Sequence, residues 1–318
     1  MSKAEATIRG LLDLANIEIN GSNPYDIQVN DEAFYRRLLS GGPLGLGEAY
    51  MDGLWDCQAL DVLIYKLLRA DLEHSISPLK LLIPVIWAKL VNLQSRGRAF
   101  RIGEHHYDIG NDLYQLMLDR RMVYTCGYWK NADNLDDAQE AKLDLICRKV
   151  GLQPGMRVLD LGCGWGSFAG FAAERYGVEV VGVTVSKEQI EYGQRRYKDL
   201  PVDLRFQDYR DVDERFDRIV SIGILEHVGP KNYKTFMGVV ERNLADDGLY
   251  LLHTIGTNTR ALSVDPWTDK YIFPGGVLPV LQQIDAATEG VFVLEDLHNI
   301  GTHYDPTLMA WMSNVDKH

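Results

Sequence analysis

Residues 156–176 constrain this chain more than any other stretch. A short apolar run at 156–161 contains Asp160. Gly162, Gly164 and Gly166 follow at alternate positions, and a helix-compatible segment covers 167–176. Strand, glycine turn and helix in that order open an α/β sheet. The glycines place no Cβ at the turn, so the backbone bends sharply and a ligand can lie against main-chain atoms. Asp160 falls at the carboxyl end of the strand, where open α/β sheets bind their ligands.

The spacing narrows the ligand. A dinucleotide fingerprint reads G-x-G-x-x-G, with an acidic residue about 20 positions further on. Here the third glycine comes one position early, and Ser167 stands where that pattern has Gly or Ala. The next strand, 178–183, is followed by Thr184, not by an acid. The motif resembles the D-x-G-x-G-x-G turn of S-adenosylmethionine-dependent methyltransferases. An ordinary tight turn is the bland alternative. Asp160 and the strands downstream favour the cofactor.

Those strands are expected at 178–183, 204–206, 219–222 and 249–252, with helices at 167–176, 188–197 and 233–242 between them. The alternation predicts a doubly wound, Rossmann-like parallel sheet of the class I methyltransferase type. A helix is expected over 136–150 ahead of the glycine turn. A helix over 279–289 and a strand over 291–296 are expected after the sheet. The first 75 residues read as a small, mainly helical domain. It has helical spacing at 8–17, a turn at 21–24, a short strand at 25–29, an Asp31-capped helix to Leu39 and a helix over 59–69. The expected division is an N-terminal domain with a linker helix at 1–95 and a catalytic domain at 96–318.

The 318 residues carry a net charge of −12, which argues against non-specific nucleic-acid binding. Cys57, Cys126, Cys147 and Cys163 form no C-x-x-C pair and suit neither a disulfide framework nor a zinc site. The N-terminus lacks the apolar core of a signal peptide, and no uncharged run reaches the roughly 18 residues of a spanning helix. The expectation is a cytoplasmic protein. Residues 79–93 are apolar on most faces, with Lys80, Lys89, Arg96, Arg98 and Arg101 nearby. Such a segment is either a core helix between domains or an interfacial helix lying on lipid. The adjacent His105 and His106 point apart on a helix or strand, so a shared metal is not expected.

Parallel strands gather their carboxyl ends on one edge, so Asp160, Glu226 after the fourth strand and His253 after the fifth are expected as neighbours. Thr184, Ser186 and Gln189 follow the second strand and suit a ribose. Gln207 and Asp208 follow the third and suit an adenine amino group. An aromatic loop, Tyr124-Thr125-Cys126-Gly127-Tyr128-Trp129, precedes the sheet. A second aromatic stretch, 260–276, carries Trp267, Tyr271 and Phe273 and is expected to cover the substrate.

The 124–129 loop, the 158–166 turn and Gly223-Ile224-Leu225-Glu226-His227-Val228-Gly229 together resemble the cyclopropane-fatty-acid-phospholipid synthases and the related mycolic acid cyclopropane synthases. His253-Thr254-Ile255-Gly256 and Tyr271-Ile272-Phe273-Pro274-Gly275-Gly276 add to that likeness. The N-terminal Gly45-Leu46-Gly47-Glu48-Ala49-Tyr50-Met51-Asp52-Gly53 is similar to the bacterial phospholipid enzymes in particular. The resemblance implies methylene transfer from S-adenosylmethionine to the cis double bond of an unsaturated phospholipid acyl chain. It also implies work at the inner membrane surface and assembly as a homodimer. It assigns the cofactor to Tyr124, Thr125, Asp160, Gly162, Gly164, Gly166, Thr184, Ser186, Gln189, Gln207 and Asp208. It assigns a bound bicarbonate base to Cys126, Glu226, His253, Tyr304 and the backbone of Ile255. An isolated alkene is a weak nucleophile, and its methylation leaves a carbocation that water would quench. The site must therefore be dry and aromatic, which implicates Tyr128, Trp129, Trp267, Tyr271 and Phe273. Cys126 as a covalent nucleophile is not needed by this chemistry.

Family members continue past the position of Trp311 into a further helical segment that helps close the acyl pocket. This chain ends at His318, so cofactor and bicarbonate binding are expected to be retained more securely than lipid turnover. Two other readings stay open. One is a methyltransferase for another small molecule or lipid, and the other is a lipid- or cofactor-binding protein without turnover.

Overall fold

The computed structural model describes residues 2–70, 111–261 and 263–318. The expectations for 79–93 and for His105 and His106 lie outside these residues, as does the expected 95/96 domain boundary. The described residues fall into two compact units: the N-terminal residues with Ser263–Pro274, and the remainder.

The first unit contains α1 (Lys3–Asp13), β1 (Gln28–Val29), α2 (Ala33–Met51), β2 (Trp55–Asp56) and α3 (Leu60–Arg69). Ser2 caps α1 by accepting the Glu5 N–H at 3.1 Å. α2 runs on past the expected end at Leu39, with a kink at Gly42. Ile8, Leu12, Ile17, Ile27, Phe34, Trp55 and Leu63 form the core. Two antiparallel residue pairs join β1 to β2.

The segment Ser263–Pro274 belongs to this unit. A Cβ on Gly47 would lie 2.3 Å from Cδ1 of Trp267, so α2 is bare there to admit the indole. Glu48 accepts from Lys270 at 2.5 Å and from the Tyr271 hydroxyl at 3.0 Å. The Gly45-Leu46-Gly47-Glu48 stretch, which has no catalytic spacing, is thus a dock for the aromatic insertion.

The second unit holds α4 (Asn111–Met117), α5 (Leu135–Lys149), β3 (Arg157–Leu161), α6 (Ser167–Tyr176), β4 (Glu179–Thr184), α7 (Lys187–Arg196) and β5 (Val202–Phe206). Then come β6 (Phe216–Ile222), α8 (Leu225–Val228), α9 (Tyr233–Asn243), β7 (Leu244–His253) and, after the insertion helix α10 (Pro266–Tyr271) of the first unit, α11 (Leu281–Thr288) and α12 (Tyr304–Val315). β3 to β7 form one parallel sheet in the order β5-β4-β3-β6-β7. This is the expected doubly wound sheet. The order reverses between β3 and β6, which opens the binding crevice there.

Residues alternate across the sheet. Val158, Val180 and Val220 face one layer, with Leu143, Ile146 and Cys147 of α5 and Phe168 and Ala172 of α6. Leu159, Val181 and Ile219 face the other, with Tyr233, Phe236 and Val240 of α9. The period of two puts Asp160 on the same face as Val158, the face that α5 covers. The strand expected over 291–296 does not form. Val293 and Leu294 are 82% and 69% exposed. The apolar run reads as a strand by composition, but the sheet ends at β7 and the segment pairs with no strand.

Candidate active site

The glycine turn follows β3. Gly162, Gly164 and Gly166 all have positive φ, at 76°, 55° and 81°. A Cβ built on Gly164 would meet nothing within 4 Å, and Gly162 and Gly164 both keep accessible surface. At Gly164 the turn therefore presents bare backbone to open space, the form a ligand cradle takes, whereas a Cβ on Gly162 or Gly166 would press Ile224 or Leu204 at 2.8 Å. Asp160 is 2% exposed, and among the described residues no hydrogen bond reaches its carboxylate. Burial pushes its pKa up to about 7, against the pull of the Lys142 ammonium. A buried carboxylate offset only by the Lys142 charge, beside a glycine turn, fits a cationic ligand such as S-adenosylmethionine.

The ends of β4 and β5 add polar groups. The Thr184 hydroxyl donates to Gln189 Oε1 at 3.1 Å, and Ser186 caps α7 by accepting the Gln189 N–H at 3.4 Å. Asp208 is buried and accepts from the Arg210 backbone at 2.9 Å and side chain at 3.0 Å. The Gln207 N–H donates to the Thr184 carbonyl at 3.0 Å. These residues stand where the sequence puts them, at the carboxyl ends of their strands, but Thr184, Ser186, Gln189 and Gln207 already bond one another and Asp208 bonds Arg210.

Glu226 lies in the single turn α8, after β6. Its Oε1 accepts the Ile255 N–H at 2.6 Å, while Oε2 is buried without a partner. Its carbonyl accepts the Val277 N–H at 2.8 Å, which ties α8 to the stretch before α11. Burial raises the Glu226 pKa, and the Ile255 amide and Thr254 hydroxyl moderate the shift. The Ile255 amide is therefore engaged by Glu226. His253 ends β7 and its carbonyl receives the Gly223 N–H at 2.9 Å, so the loops after β6 and β7 are stitched together. Desolvation, and after it the Lys142 charge, lowers its pKa to about 3. It is neutral at pH 7, with one N–H to donate.

Cys126 and Tyr304 come from outside the sheet and reach the same place. The Tyr304 hydroxyl is held protonated chiefly by burial, then by the nearby Cys126, Glu226 and Tyr124. Burial likewise raises the Cys126 pKa, so the group is a thiol. A neutral thiol is no nucleophile but a weak hydrogen-bond donor.

The loop at 124–129 is gripped from two sides, by residues that sequence reading did not single out. From α5, Gln139 Nε2 donates to the Thr125 carbonyl and Lys142 Nζ to the Thr125 hydroxyl, both at 2.8 Å. From the chain end, Thr307 Oγ1 accepts from the Gly127 N–H at 3.1 Å and from Trp129 Nε1 at 2.9 Å. His303 Nδ1 accepts the Trp129 N–H at 2.8 Å, and its ring stacks on Tyr128 at 5.1 Å. The signal was present in the sequence: Gln139 and Lys142 are polar residues on the apolar face of an amphipathic helix.

Tyr124 packs in an aromatic cluster with Tyr114 and Trp311, with ring centroids 5.3 Å away in each case. Tyr128 and Trp129 lie in this second unit. Trp267, Tyr271 and Phe273 belong to the first unit, where Trp267 and Tyr271 pack against Gly47 and Glu48 of α2. The five aromatic pocket candidates are therefore divided between two units.

Residues 94–318 match the family described as mycolic acid cyclopropane synthetase. The chain is 55% identical over 302 residues to the cyclopropane-fatty-acyl-phospholipid synthase of Escherichia coli strain K12, covering 95% of this chain and 79% of that one. Among solved structures, it resembles the cyclopropane synthase MmaA2 of Mycobacterium tuberculosis, with a TM-score of 0.65 and 34% identity over 69% of this chain and 84% of that one. The mycolic acid cyclopropane synthase CmaA1, solved in complex with SAH and CTAB, gives a TM-score of 0.64 at 34% identity over 69% and 83%.

Proposed function

The chain belongs to the mycolic acid cyclopropane synthetase family, and from that premise we propose that it converts the cis double bond of unsaturated phospholipid acyl chains to a cyclopropane ring with S-adenosylmethionine as methylene donor. The observation that carries the reading is Glu226. It is a buried carboxylate with one oxygen fixed by the Ile255 amide and the other without a partner. It sits in a site that also gathers a thiol, a phenol and a neutral imidazole.

S-adenosylmethionine supplies an electrophilic methyl group when it is bound. Asp160 and the turn at 162–166 would bind and orient it. Thr184, Ser186 and Gln189 would hold its ribose, and Gln207 and Asp208 its base. Tyr124 and Thr125 would border it from the 124–129 loop.

Ring closure releases a proton, and a bound bicarbonate would supply the base for it. Glu226 Oε2 would accept its hydroxyl. The His253 N–H and the Tyr304 hydroxyl would donate to its oxygens, and Cys126, whose thiol donates to the Gly127 carbonyl at 3.4 Å, would border it. Tyr128 and Trp129 would keep water from the acyl chain and offer π faces to the positive charge on it.

The enzyme works on the inner face of the membrane as a peripheral protein and a homodimer. What supports lipid contact is α3, which exposes Val62, Tyr65 and Leu68 at 38%, 63% and 76%. Among the described residues, no helix is long and apolar enough to cross a membrane.

The test is S-adenosylhomocysteine release with unsaturated phospholipid vesicles, with and without added bicarbonate, and mass analysis of the lipids. Lipid-dependent release that rises with bicarbonate, with a gain of one CH₂ on unsaturated chains, is the expected result. Release without that gain would replace the reading with methylation of another acceptor.

A further inference from the structure

Lys142 is 1% exposed on α5, in the layer that packs on the sheet. An ammonium is among the costliest groups to bury, and apolar packing alone would be served better by Met or Leu. Its one hydrogen bond among the described residues goes to the Thr125 hydroxyl at 2.8 Å, which leaves two donors over. One turn earlier on the same helix, Gln139 is fully buried and holds the Thr125 carbonyl at 2.8 Å. Two polar side chains at positions i and i+3 thus close on the same residue from one helix face. Thr125 stands between Tyr124 and Cys126. The alternation of β3 turns Asp160 toward the layer that contains α5. The charged and titratable groups around the ammonium are Asp119, Cys126 and Asp160, and it acts in turn on His253.

We infer that Lys142 is a positioning residue for the reaction: with Gln139 it fixes Thr125, and so Tyr124 and Cys126, and its charge partners Asp160 behind the cofactor turn. It touches no reacting atom and acts through these residues. The ammonium has its pKa lowered to about 8 by burial, so it remains mostly charged at pH 7. Its field opposes the burial that raises Asp160 to about 7. Without that charge, Asp160 becomes harder to ionise, and a cationic ligand finds a neutral acid at pH 7. The inference rests on the reading of Asp160 as part of the cofactor site.

The experiment compares the full chain with Lys142→Met, Lys142→Arg and Thr125→Val. S-adenosylmethionine affinity is measured by calorimetry from pH 6 to 10, together with the thermal midpoint and S-adenosylhomocysteine release on unsaturated vesicles. In Lys142→Met, affinity at pH 7 should fall about tenfold for each unit by which the Asp160 pKa rises, and should recover toward pH 9–10. Lys142→Arg retains the charge and should keep the parent profile. A variant that merely packs less well loses affinity equally at every pH. Thr125→Val keeps the charge, so kcat should drop while the pH dependence of affinity keeps the parent shape. This variant carries the test if Lys142→Met fails to fold. A parent-like pH profile in Lys142→Met, or a parent-like kcat in Thr125→Val, would overturn the inference. If the parent chain itself binds no S-adenosylmethionine, the cofactor reading fails instead.

Discussion

One oxygen of the Glu226 carboxylate accepts the Ile255 N–H at 2.6 Å, and the other is buried without a partner. The first contact sets the orientation of the acid, and the second atom is what the site offers to a ligand. Glu226→Gln keeps the size and can still accept from Ile255, but puts an amide where an anion's proton should be received. Ring formation should fall by at least about a hundredfold, on the scale of a lost acid–base group, while S-adenosylmethionine affinity stays within about twofold. Near-parent turnover in this variant would remove Glu226 from the mechanism.

The same residue makes a prediction about stability. Burial raises the Glu226 pKa in the folded state above its unfolded value. An acid shifted upward binds its proton more tightly when folded, so it weakens folding as pH rises through the unfolded pKa toward the folded one. Glu226→Gln should therefore melt at or above the parent temperature at pH 8, with the difference shrinking at pH 4. Paired thermal melts at the two pH values decide this. A variant less stable at pH 8 than at pH 4, relative to the parent, would contradict it.

The sheet was legible because its signals are local. Alternating apolar runs, glycines at alternate positions and an acid at the end of β3 lie close together in sequence, and the observed strands match the expected ones to within a few residues. The long β7 is the exception, because its register shifts between Phe216 and Arg218 of β6. The 291–296 run misled because composition reports burial potential but not whether a strand has a neighbour. The supports of the 124–129 loop were not legible. Thr307 is about 180 residues from Gly127, and only the packing of α12 brings them together. The insertion aromatics were recognised as a group, but their place against Gly47 and Glu48 depends on a contact across more than 200 residues.

Thr307 accepts from both Gly127 and Trp129 while donating to the His303 carbonyl at 2.8 Å. Thr307→Val preserves the shape but strands two N–H groups, each at about 1–3 kcal/mol. The urea midpoint should drop accordingly, and the Cys126 thiol should become more reactive toward a thiol reagent as its loop loosens. Thr307→Ser should restore both. Parent-like thiol reactivity in the valine variant would mean the loop is held by α5 alone.

Gly47→Ala tests the dock for the insertion. The new Cβ would lie 2.3 Å from Trp267 Cδ1, close to the ring rather than at the tip of a flexible chain, so the indole must move. Overpacking of this kind costs about 1–3 kcal/mol. Tryptophan fluorescence should shift toward the red and protease cleavage within 263–274 should speed up. An unchanged spectrum and cleavage rate would show that the indole yields without leaving its place.

Asp160 gives the cofactor site a pH signature. Its pKa of about 7 means that the free protein holds it partly protonated at neutral pH. A cationic ligand favours the ionised form, so binding should displace a proton below pH 7 and none well above it. S-adenosylmethionine affinity should therefore rise between pH 6 and pH 8 and then level off. Calorimetry in buffers of different ionisation enthalpy should detect the released proton at pH 6. Asp160→Asn removes the titrating group, so affinity should be weaker and flat across this range. A parent chain whose affinity is flat from pH 6 to 8 would place the cofactor's positive charge away from Asp160.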